Sequence, residues 1–170
     1  MLALDVSSVC VGWALFHGAK LRSFGKYLQQ GKAHGEKLAE FEDWLLQMLD
    51  QTDPEILVVE APYAGRRRFA FGVLMMYYGI VQMAHLRWKG FELPDEHRVA
   101  AHQVKRLLDL PKGATHTDRK IVALERINTM YGLSLVFSEN KKHSDDDTAD
   151  AIAVGHAYLV KTGAIPLEVV

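Results

Sequence analysis

Four carboxylates in otherwise apolar segments constrain this chain more than any other feature of its sequence. Asp5 interrupts the segment LALDV, Glu60 ends the segment ILVVE, and Asp147 and Asp150 open the segment DTADAIAV. Removing a carboxylate from water costs several kcal/mol unless it is paired or bound to a cation. We therefore expect these acids to converge on one point in the folded chain, where cations offset their repulsion.

Short apolar runs predict the strands of the fold. Leu2–Ser7, Val9–Phe16 and Leu21–Leu28 are separated by short turns, a pattern typical of an antiparallel meander. Ile56–Val59 is the kind of apolar run found in a central strand that is covered on both faces. Phe91–Val99 contains a proline, which cannot donate a ladder hydrogen bond and limits this segment to an edge strand at best.

Helical periodicity fills most of the remaining chain, with apolar residues recurring every three or four positions. The predicted helices are Glu36–Gln51, Arg67–Trp88, Gln103–Leu108, Asp118–Tyr131 and Ser144–Val160. Three strands, a helix, a strand and further helices predict an α/β fold in which a mixed sheet is flanked by helices. The length of 170 residues suits a single domain over residues 1–170.

Phe69–Ala84 is the most apolar segment of the chain. It is shorter than the roughly 20 residues that a membrane span needs, so we expect no membrane partner. A helix that is apolar nearly all round must be buried on more than one side, within the chain or against a second copy of it. This segment is therefore the candidate interface of a homodimer.

Composition and charge exclude several classes of protein. The single cysteine, Cys10, excludes a disulfide framework and a thiolate zinc site, and it favours a reducing compartment. No basic run precedes an apolar core at the N-terminus, so we expect no signal peptide. The formal net charge of −1 argues against a general nucleic-acid coat protein but is compatible with a nuclease, whose acidic site lowers the total.

The type and spacing of the acids indicate a metal site. Asp147 and Asp150 are three residues apart and therefore share one face of a helix. Ligand sets made only of oxygen suit Mg²⁺ or Mn²⁺ rather than Zn²⁺. Two such ions about 3.5–4 Å apart are a known device for in-line phosphodiester cleavage. The acids thus predict a site for phosphodiester hydrolysis with two Mg²⁺ or Mn²⁺ ions.

Each acid taken alone also fits a structural interpretation. Asp5 fits a cap of the turn that follows it, and Glu60 fits an exposed strand end. Ser144 and Asp147 fit a capping box, with Ser144 as N-cap and Asp147 at the third helical position. Asp150 is harder to explain structurally, because it interrupts an apolar helix face.

The order of the four acids resembles that of the RuvC family of Holliday-junction resolvases, which belongs to the RNase H-like superfamily. The family has an Asp in the first strand, a Glu ending the fourth strand and Asp-x-x-Asp-Ala opening the last helix, as Asp5, Glu60 and the segment DTADA do here. The segment AAHQVK at residues 100–105 resembles a family segment that ends in Gln-Val-Lys. The Asp-x-x-Asp-Ala match selects Asp147 over Asp146, which is four residues from Asp150 and also compatible with one helix face.

This resemblance spans nearly the whole chain and implies an RNase H-like fold, with a mixed five-stranded sheet whose first three strands are antiparallel. It implies a metal-dependent endodeoxyribonuclease that resolves four-way junctions by paired symmetric nicks, in DNA recombination and repair. It also implies a homodimer, no small-molecule substrate and a cytoplasmic location in a bacterial or phage-infected cell. The residues expected to be both catalytic and metal-binding, with two ions per active site, are Asp5, Glu60, Asp147 and Asp150.

Two groups of residues are candidate DNA contacts. Arg66-Arg67-Arg68 follows the strand that bears Glu60, and its positive charge opposes the dipole of the helix it begins, which favours phosphate contact over a solvated surface. Tyr63 corresponds to the aromatic residue that in the family acts on bases at the junction, and aromatic rings stack on unpaired bases. The second group, which includes two positions near family lysines, comprises Lys105, Arg119 and Lys120.

The loop after the first strand departs from the family and keeps alternative functions open. It reads DVSS at residues 5–8 where the family has Asp-Pro-Gly-Ser, although Gly12-Trp13 keeps the family's glycine-aromatic pair. One alternative is a nuclease of the same fold that cuts forks, flaps or RNA/DNA hybrids. Another is a non-catalytic branched-DNA-binding module, which would gain nothing from buried anions beside phosphates. An actin-like ATP-binding domain would need glycine-rich phosphate loops, and the sequence has none.

Overall fold

Five strands form one mixed sheet in the computed structural model, which describes residues 1–62, 68–111, 113 and 115–166, with Arg68 described by its backbone alone. The strands are β1 (Leu2–Val6), β2 (Cys10–His17), β3 (Lys20–Leu28), β4 (Leu57–Glu60) and β5 (Arg98–Val99). Their order across the sheet is β3-β2-β1-β4-β5, with the first three antiparallel and with β4 and β5 parallel to β1. The predicted α/β fold, with a mixed five-stranded sheet and an antiparallel start, is confirmed.

Helices cover both faces of this sheet. They are α1 (His34–Thr52), α2 (Arg68–Lys89), α3 (Ala101–Leu107), α4 (His116–Tyr131) and α5 (Asp146–Lys161). Successive side chains of a strand point to opposite faces. Ala3 and Val58 accordingly pack with α3, α4 and α5, whereas Leu4 and Val59 pack on the other face with α1 and α2.

The segment Phe91–Val99 contributes only two residues to the sheet. Its proline, Pro94, precedes a 3₁₀ turn at Asp95–His97, and Arg98–Val99 then pairs with the end of β4. This strand lies at the edge of the sheet, as the proline predicts, because an edge strand does not need every backbone N–H.

Only one side of α2 is covered by the described chain, which corrects the expectation that this helix is buried on more than one side. Tyr77 and Val81 are fully buried, but Phe69 is 80% exposed and Met76 is 54% exposed. The segment Phe69–Lys89 has 21 residues and a mean hydropathy of 1.4, so by length and composition it is sufficient to cross a membrane. The length of this segment therefore does not argue against a membrane span. What covers the exposed side of α2 has to be inferred from the arrangement of its exposed residues.

Helix α5 approaches β2 so closely that only glycine fits at position 12. A Cβ atom on Gly12 would lie 1.8 Å from the carbonyl oxygen of Asp147 and 3.2 Å from the Cβ of Ala151. Backbone atoms cannot move aside as the end of a flexible side chain can. Since Gly12 pairs with Asp5 across the β1–β2 ladder, the same contact brings the start of α5 over the end of β1.

We expect Gly12→Ala to lower the free energy of unfolding by about 1–3 kcal/mol or more, because the added methyl group must push α5 away from the sheet. Urea denaturation followed by circular dichroism measures this change. Gly35→Ala is the control, since a Cβ at Gly35, near the start of α1, meets no atom within 4 Å and should leave stability unchanged or slightly raised. Equal stability of the two variants would contradict close packing of α5 on β2.

Candidate active site

Two parallel strands bring Asp5 and Glu60 to the same edge of the sheet. β1 and β4 are neighbours in a register that pairs Leu4 with Val59, and the two acids each follow one of these residues. Alternation places Asp5 on the same face as Ala3, and Glu60 on the same face as Val58. Both carboxylates therefore lie on the face of the sheet that α5 covers.

The first two turns of α5 supply Asp147 and Asp150 to this edge. The helix begins at Asp146, and its N-cap residue is Asp145, whose side chain makes no capping hydrogen bond. The predicted capping box is therefore wrong: the Ser144 hydroxyl accepts a hydrogen bond from the backbone N–H of Ser138 at 3.1 Å instead. Asp147 is thus the second helical residue and does not cap the helix.

One cavity of about 370 Å³ joins these acids to a basic wall. The acidic residues that line it are Asp5, Glu60 and Asp150. The basic residues that line it come from α3 and α4 and are Lys105, His116, Arg119 and Lys120. Asp147 is not among the lining residues, although it is close enough for its charge to raise the pKa of Asp5. The cavity therefore presents a cluster of carboxylates opposite several cations.

The carboxylates of this cavity resist ionisation. Burial raises the pKa of Asp5 well above its usual range, and the negative charges of Asp150, Glu60 and Asp147 raise it further. Burial likewise raises the pKa of Glu60, while the positive charge of Lys105 opposes this shift. The pKa of Asp150 is raised to about 7, mainly by burial, with Lys120 opposing the shift and the neighbouring acids adding to it. Burial therefore favours the protonated forms of these acids, and the charges of neighbouring acids add to this effect at Asp5 and Asp150.

Asp146 has a different environment from these acids. It is 3% exposed and forms ion pairs with Lys120 and Lys141. Burial raises its pKa, but hydrogen bonds from Lys120, Lys141 and Ser144 outweigh burial and hold the pKa well below its usual range. Asp146 is thus engaged by two ammonium groups, and the choice of Asp147 over Asp146 as the partner of Asp150 stays a prediction.

Sequence reasoning missed two contacts of Asp147. The ammonium group of Lys141 donates to both carboxylate oxygens of Asp147, at 2.9 and 2.8 Å. The Cys10 thiol also lies beside this carboxylate, and its pKa is raised to about 12 by burial and by the charge and hydrogen bond of Asp147. The basic run at residues 141–143, just before the last helix, was the available signal for Lys141; nothing in the sequence pointed to Cys10.

The predicted DNA contacts fall into two groups. Lys105, Arg119 and Lys120 line the cavity, and Lys105 is close enough to Glu60 to oppose the rise of its pKa. Tyr63, Arg66, Arg67 and the side chain of Arg68 lie outside the described residues. The roles of all these residues in DNA binding stay predictions.

Comparisons with solved structures find this architecture in RuvC. The structure of RuvC from T. thermophilus in complex with a Holliday junction substrate superposes with a TM-score of 0.69 at 17% sequence identity, covering 96% of this chain and 98% of that one. A second Thermus thermophilus RuvC structure has a TM-score of 0.64 at 18% identity, with the same coverage. The chain has the RuvC fold.

No family model matches the sequence, and no curated protein matches it either. The likeness to RuvC therefore rests on the three-dimensional arrangement, with most side chains different. It confirms the fold that the order of the acids predicted. It does not by itself assign roles to Asp5, Glu60, Asp147 and Asp150.

The carboxylates in this RuvC fold suit a divalent cation by their chemistry. They offer only oxygen donors, and burial raises their pKa values, so a bound cation would stabilise their ionised forms. Among the described residues, however, no group of three or more Asp, Glu, His or Cys side chains is arranged to hold a metal ion as it stands. Binding would therefore require these side chains to rotate toward a common centre.

We expect the metal-free protein to lose stability as the pH rises from about 4 to about 7. The pKa of Asp150 is about 7 in the folded state against an ordinary value of 3.8, so in this window the folded chain holds a proton that the unfolded chain has released. Unfolding then becomes easier with rising pH, by at most about 1.4 kcal/mol per pH unit for one group.

Urea denaturation in EDTA across this pH range measures the effect. Asp150→Asn removes the titration and should give a shallower fall in the free energy of unfolding, with higher stability than the wild type near neutral pH. Asp50→Asn, at an exposed position of α1, is the control and should keep the wild-type slope. A slope unchanged by Asp150→Asn would contradict the raised pKa of this carboxyl group.

Proposed function

We propose that this protein is a metal-dependent endonuclease that resolves four-way DNA junctions. The observation that carries the proposal is the single cavity in which Asp5, Glu60 and Asp150 face a basic wall. Carboxylates alone would repel a nucleic acid, and a purely DNA-binding surface would gain nothing from them. Acids that require a cation, next to cations that suit a phosphate, are the combination that phosphodiester hydrolysis needs. The RuvC fold supports this reading, since the T. thermophilus RuvC of that fold is seen with a Holliday junction substrate.

The acidic residues would bind the metal ions, and the basic residues would bind the phosphate. Asp5, Glu60, Asp147 and Asp150 would hold two Mg²⁺ or Mn²⁺ ions. When bound, such ions supply the positive charge that activates water and stabilises the leaving oxygen of in-line hydrolysis. The basic residues of the cavity wall, Lys105, Arg119 and Lys120, would hold the phosphate in place through charge-assisted hydrogen bonds.

The residues that follow Glu60 in the sequence would add DNA contacts beside the scissile bond. Arg66, Arg67 and Arg68 would bind phosphates, and Tyr63 would stack on an unpaired base beside the cut site. These roles come from the sequence resemblance and from the position of these residues shortly after Glu60 in the sequence.

We further propose that the protein acts as a homodimer through the exposed face of α2. Two rows with a spacing of seven residues run along this face: Phe69, Met76 and Met83 form one row, and Gly72, Gly79 and Leu86 form the other. The large members of these rows are exposed, and a Cβ on either glycine would meet no atom of the chain. Apolar residues at alternate spacings of three and four form the seam of paired helices. Glycines on such a seam allow close approach of a second helix, and a twofold dimer would match a junction cut symmetrically on two strands.

We expect Asp5→Asn to abolish cleavage of a four-way junction while leaving junction binding intact, because the change removes one ligand charge from the bottom of the cavity. The measurement is a cleavage assay in Mg²⁺ and in Mn²⁺ with a four-way junction, a linear duplex, a fork and an RNA/DNA hybrid in parallel. Gel-shift binding is measured for the same substrates. Asp50→Asn serves as the matched control and should cut like the wild type.

Paired symmetric nicks confined to the junction are the expected result for the wild type. Cleavage of the fork or hybrid in place of the junction would support the proposed metal site but contradict the proposed substrate. Tight junction binding without cleavage in either metal would favour the non-catalytic module. Normal cutting by Asp5→Asn would remove Asp5 from the catalytic set.

The dimer proposal predicts that the double variant Met76→Glu/Met83→Glu is monomeric and loses paired nicking, because four carboxylates would meet across the interface. Sedimentation equilibrium measures the mass, and vesicle flotation measures membrane association in the same samples. Val136→Glu is the control, since Val136 is also an exposed apolar residue, at 57% exposure, but lies outside α2. A wild type that is monomeric in solution and floats with vesicles would assign the α2 face to a membrane instead.

A further inference from the structure

A lysine ammonium group lies where a cation would bind Asp147. The Lys141 Nζ atom is 2.9 Å from Oδ1 and 2.8 Å from Oδ2 of Asp147, and 2.8 Å from Oδ2 of Asp146. A single ammonium group thus contacts both oxygens of one carboxylate and one oxygen of its neighbour. The RuvC resemblance assigns Asp147 to the metal ligands.

The backbone around Lys141 is held so that its side chain points at the first turn of α5. Lys26, on β3, donates hydrogen bonds to the carbonyl oxygens of Lys141, at 3.2 Å, and of Ser144. Within the loop, the N–H of Lys142 is bound by Asn140 Oδ1 at 3.0 Å. These contacts anchor the loop to the sheet, and the ammonium position follows from them.

A divalent ion would compete with this ammonium group for Asp147. Both carboxylate oxygens already accept a hydrogen bond from the same nitrogen, and a second cation within bonding distance of the same carboxylate would be repelled by the first. Binding of an ion to both oxygens would therefore be favoured by movement of the ammonium group away from Asp147.

We propose that Lys141 is a built-in counter-cation of the metal-free site, and that a divalent ion displaces its ammonium group from Asp147 when it binds there. This inference rests on the proposed metal-dependent function. Asp146 retains the displaced ammonium group, because it binds Lys141 independently of Asp147 and is only 3% exposed. The side chain of Lys141 is 39% exposed, so its ammonium group can shift away from Asp147 without moving the anchored loop.

The role of such an exchange is to set the metal affinity of the site. In the metal-free protein, Lys141 relieves the repulsion between Asp146 and Asp147, which are adjacent at the start of α5. That stabilisation is lost when the ion enters, so the ion binds more weakly than it would to the free carboxylates. Lys141 is in this sense a positioning residue for Asp147 and not a catalytic one.

The test is Mn²⁺ binding to the full-length protein, measured by calorimetry and by electron paramagnetic resonance of free Mn²⁺, without DNA. Lys141→Gln should bind Mn²⁺ about tenfold more tightly than wild type, since it removes a charge-assisted competitor from the carboxylate. Lys142→Gln is the matched control, because it removes the same charge from the adjacent exposed residue and should leave the affinity close to that of the wild type. In EDTA, Lys141→Gln should melt at a lower temperature than Lys142→Gln.

A double-mutant cycle distinguishes direct competition from a general change of charge. In the Asp147→Asn background, Lys141→Gln should no longer tighten Mn²⁺ binding, because the contested carboxylate is gone. Equal Mn²⁺ affinity of Lys141→Gln and Lys142→Gln, or weaker binding by Lys141→Gln, would overturn the inference while leaving the nuclease proposal to its own cleavage assay. Absence of Mn²⁺ binding by wild type and Lys141→Gln alike would overturn both. Cleavage specificity for a fork or hybrid would affect only the proposed substrate.

Discussion

The removal of neighbouring carboxylates from water, together with the repulsion between them, is the constraint on which the rest of this structure depends. The sheet places Asp5 and Glu60 side by side at the ends of parallel strands, and the close contact of α5 with Gly12 adds Asp147 and Asp150 to the same edge. Burial there raises the pKa of three of these acids, so the folded chain contains unfavourable charge that a sequence selected only for stability would avoid. A cost of this kind is expected where a site is built to receive cations.

The chain offsets part of this repulsion with its own lysines. Asp146 binds Lys120 and Lys141, which keeps its pKa low, and Lys141 also neutralises Asp147. Lys120 and Lys105 face the acids of the cavity and oppose the rise of pKa at Asp150 and Glu60 respectively. The same ammonium groups that stabilise the metal-free fold thus lie where a phosphate and metal ions would bind, so the electrostatics of folding and of the proposed function are coupled at one site.

The two faces of the sheet serve different purposes in this arrangement. The face covered by α3, α4 and α5 carries the cavity and its charges. The opposite face is closed by α1 and one side of α2, whose outer side presents methionines, phenylalanine and glycines in rows. In the proposed homodimer, a second copy would pack on this outer side, away from the face that carries the cavity.

The sequence alone determined the fold class and the identity of the acids that meet at the sheet edge. Alternation and apolar runs are local signals, and a carboxylate within an apolar strand is conspicuous because burying it is costly. The tertiary structure decided what neutralises each acid: the pairing of Asp146 with Lys120 and Lys141, the contact of Lys141 with Asp147, and the exposure of one side of α2. Lys120 and Lys141 lie 26 and 5 residues from Asp146 in the chain. Such ion pairs have no periodic signature, since they depend on how a loop and a helix end meet in space. The start of α5 was misassigned because the hydroxyl of Ser144 accepts a hydrogen bond from the backbone N–H of Ser138 in the preceding loop instead of capping the helix, and the sequence pattern does not show how that loop folds.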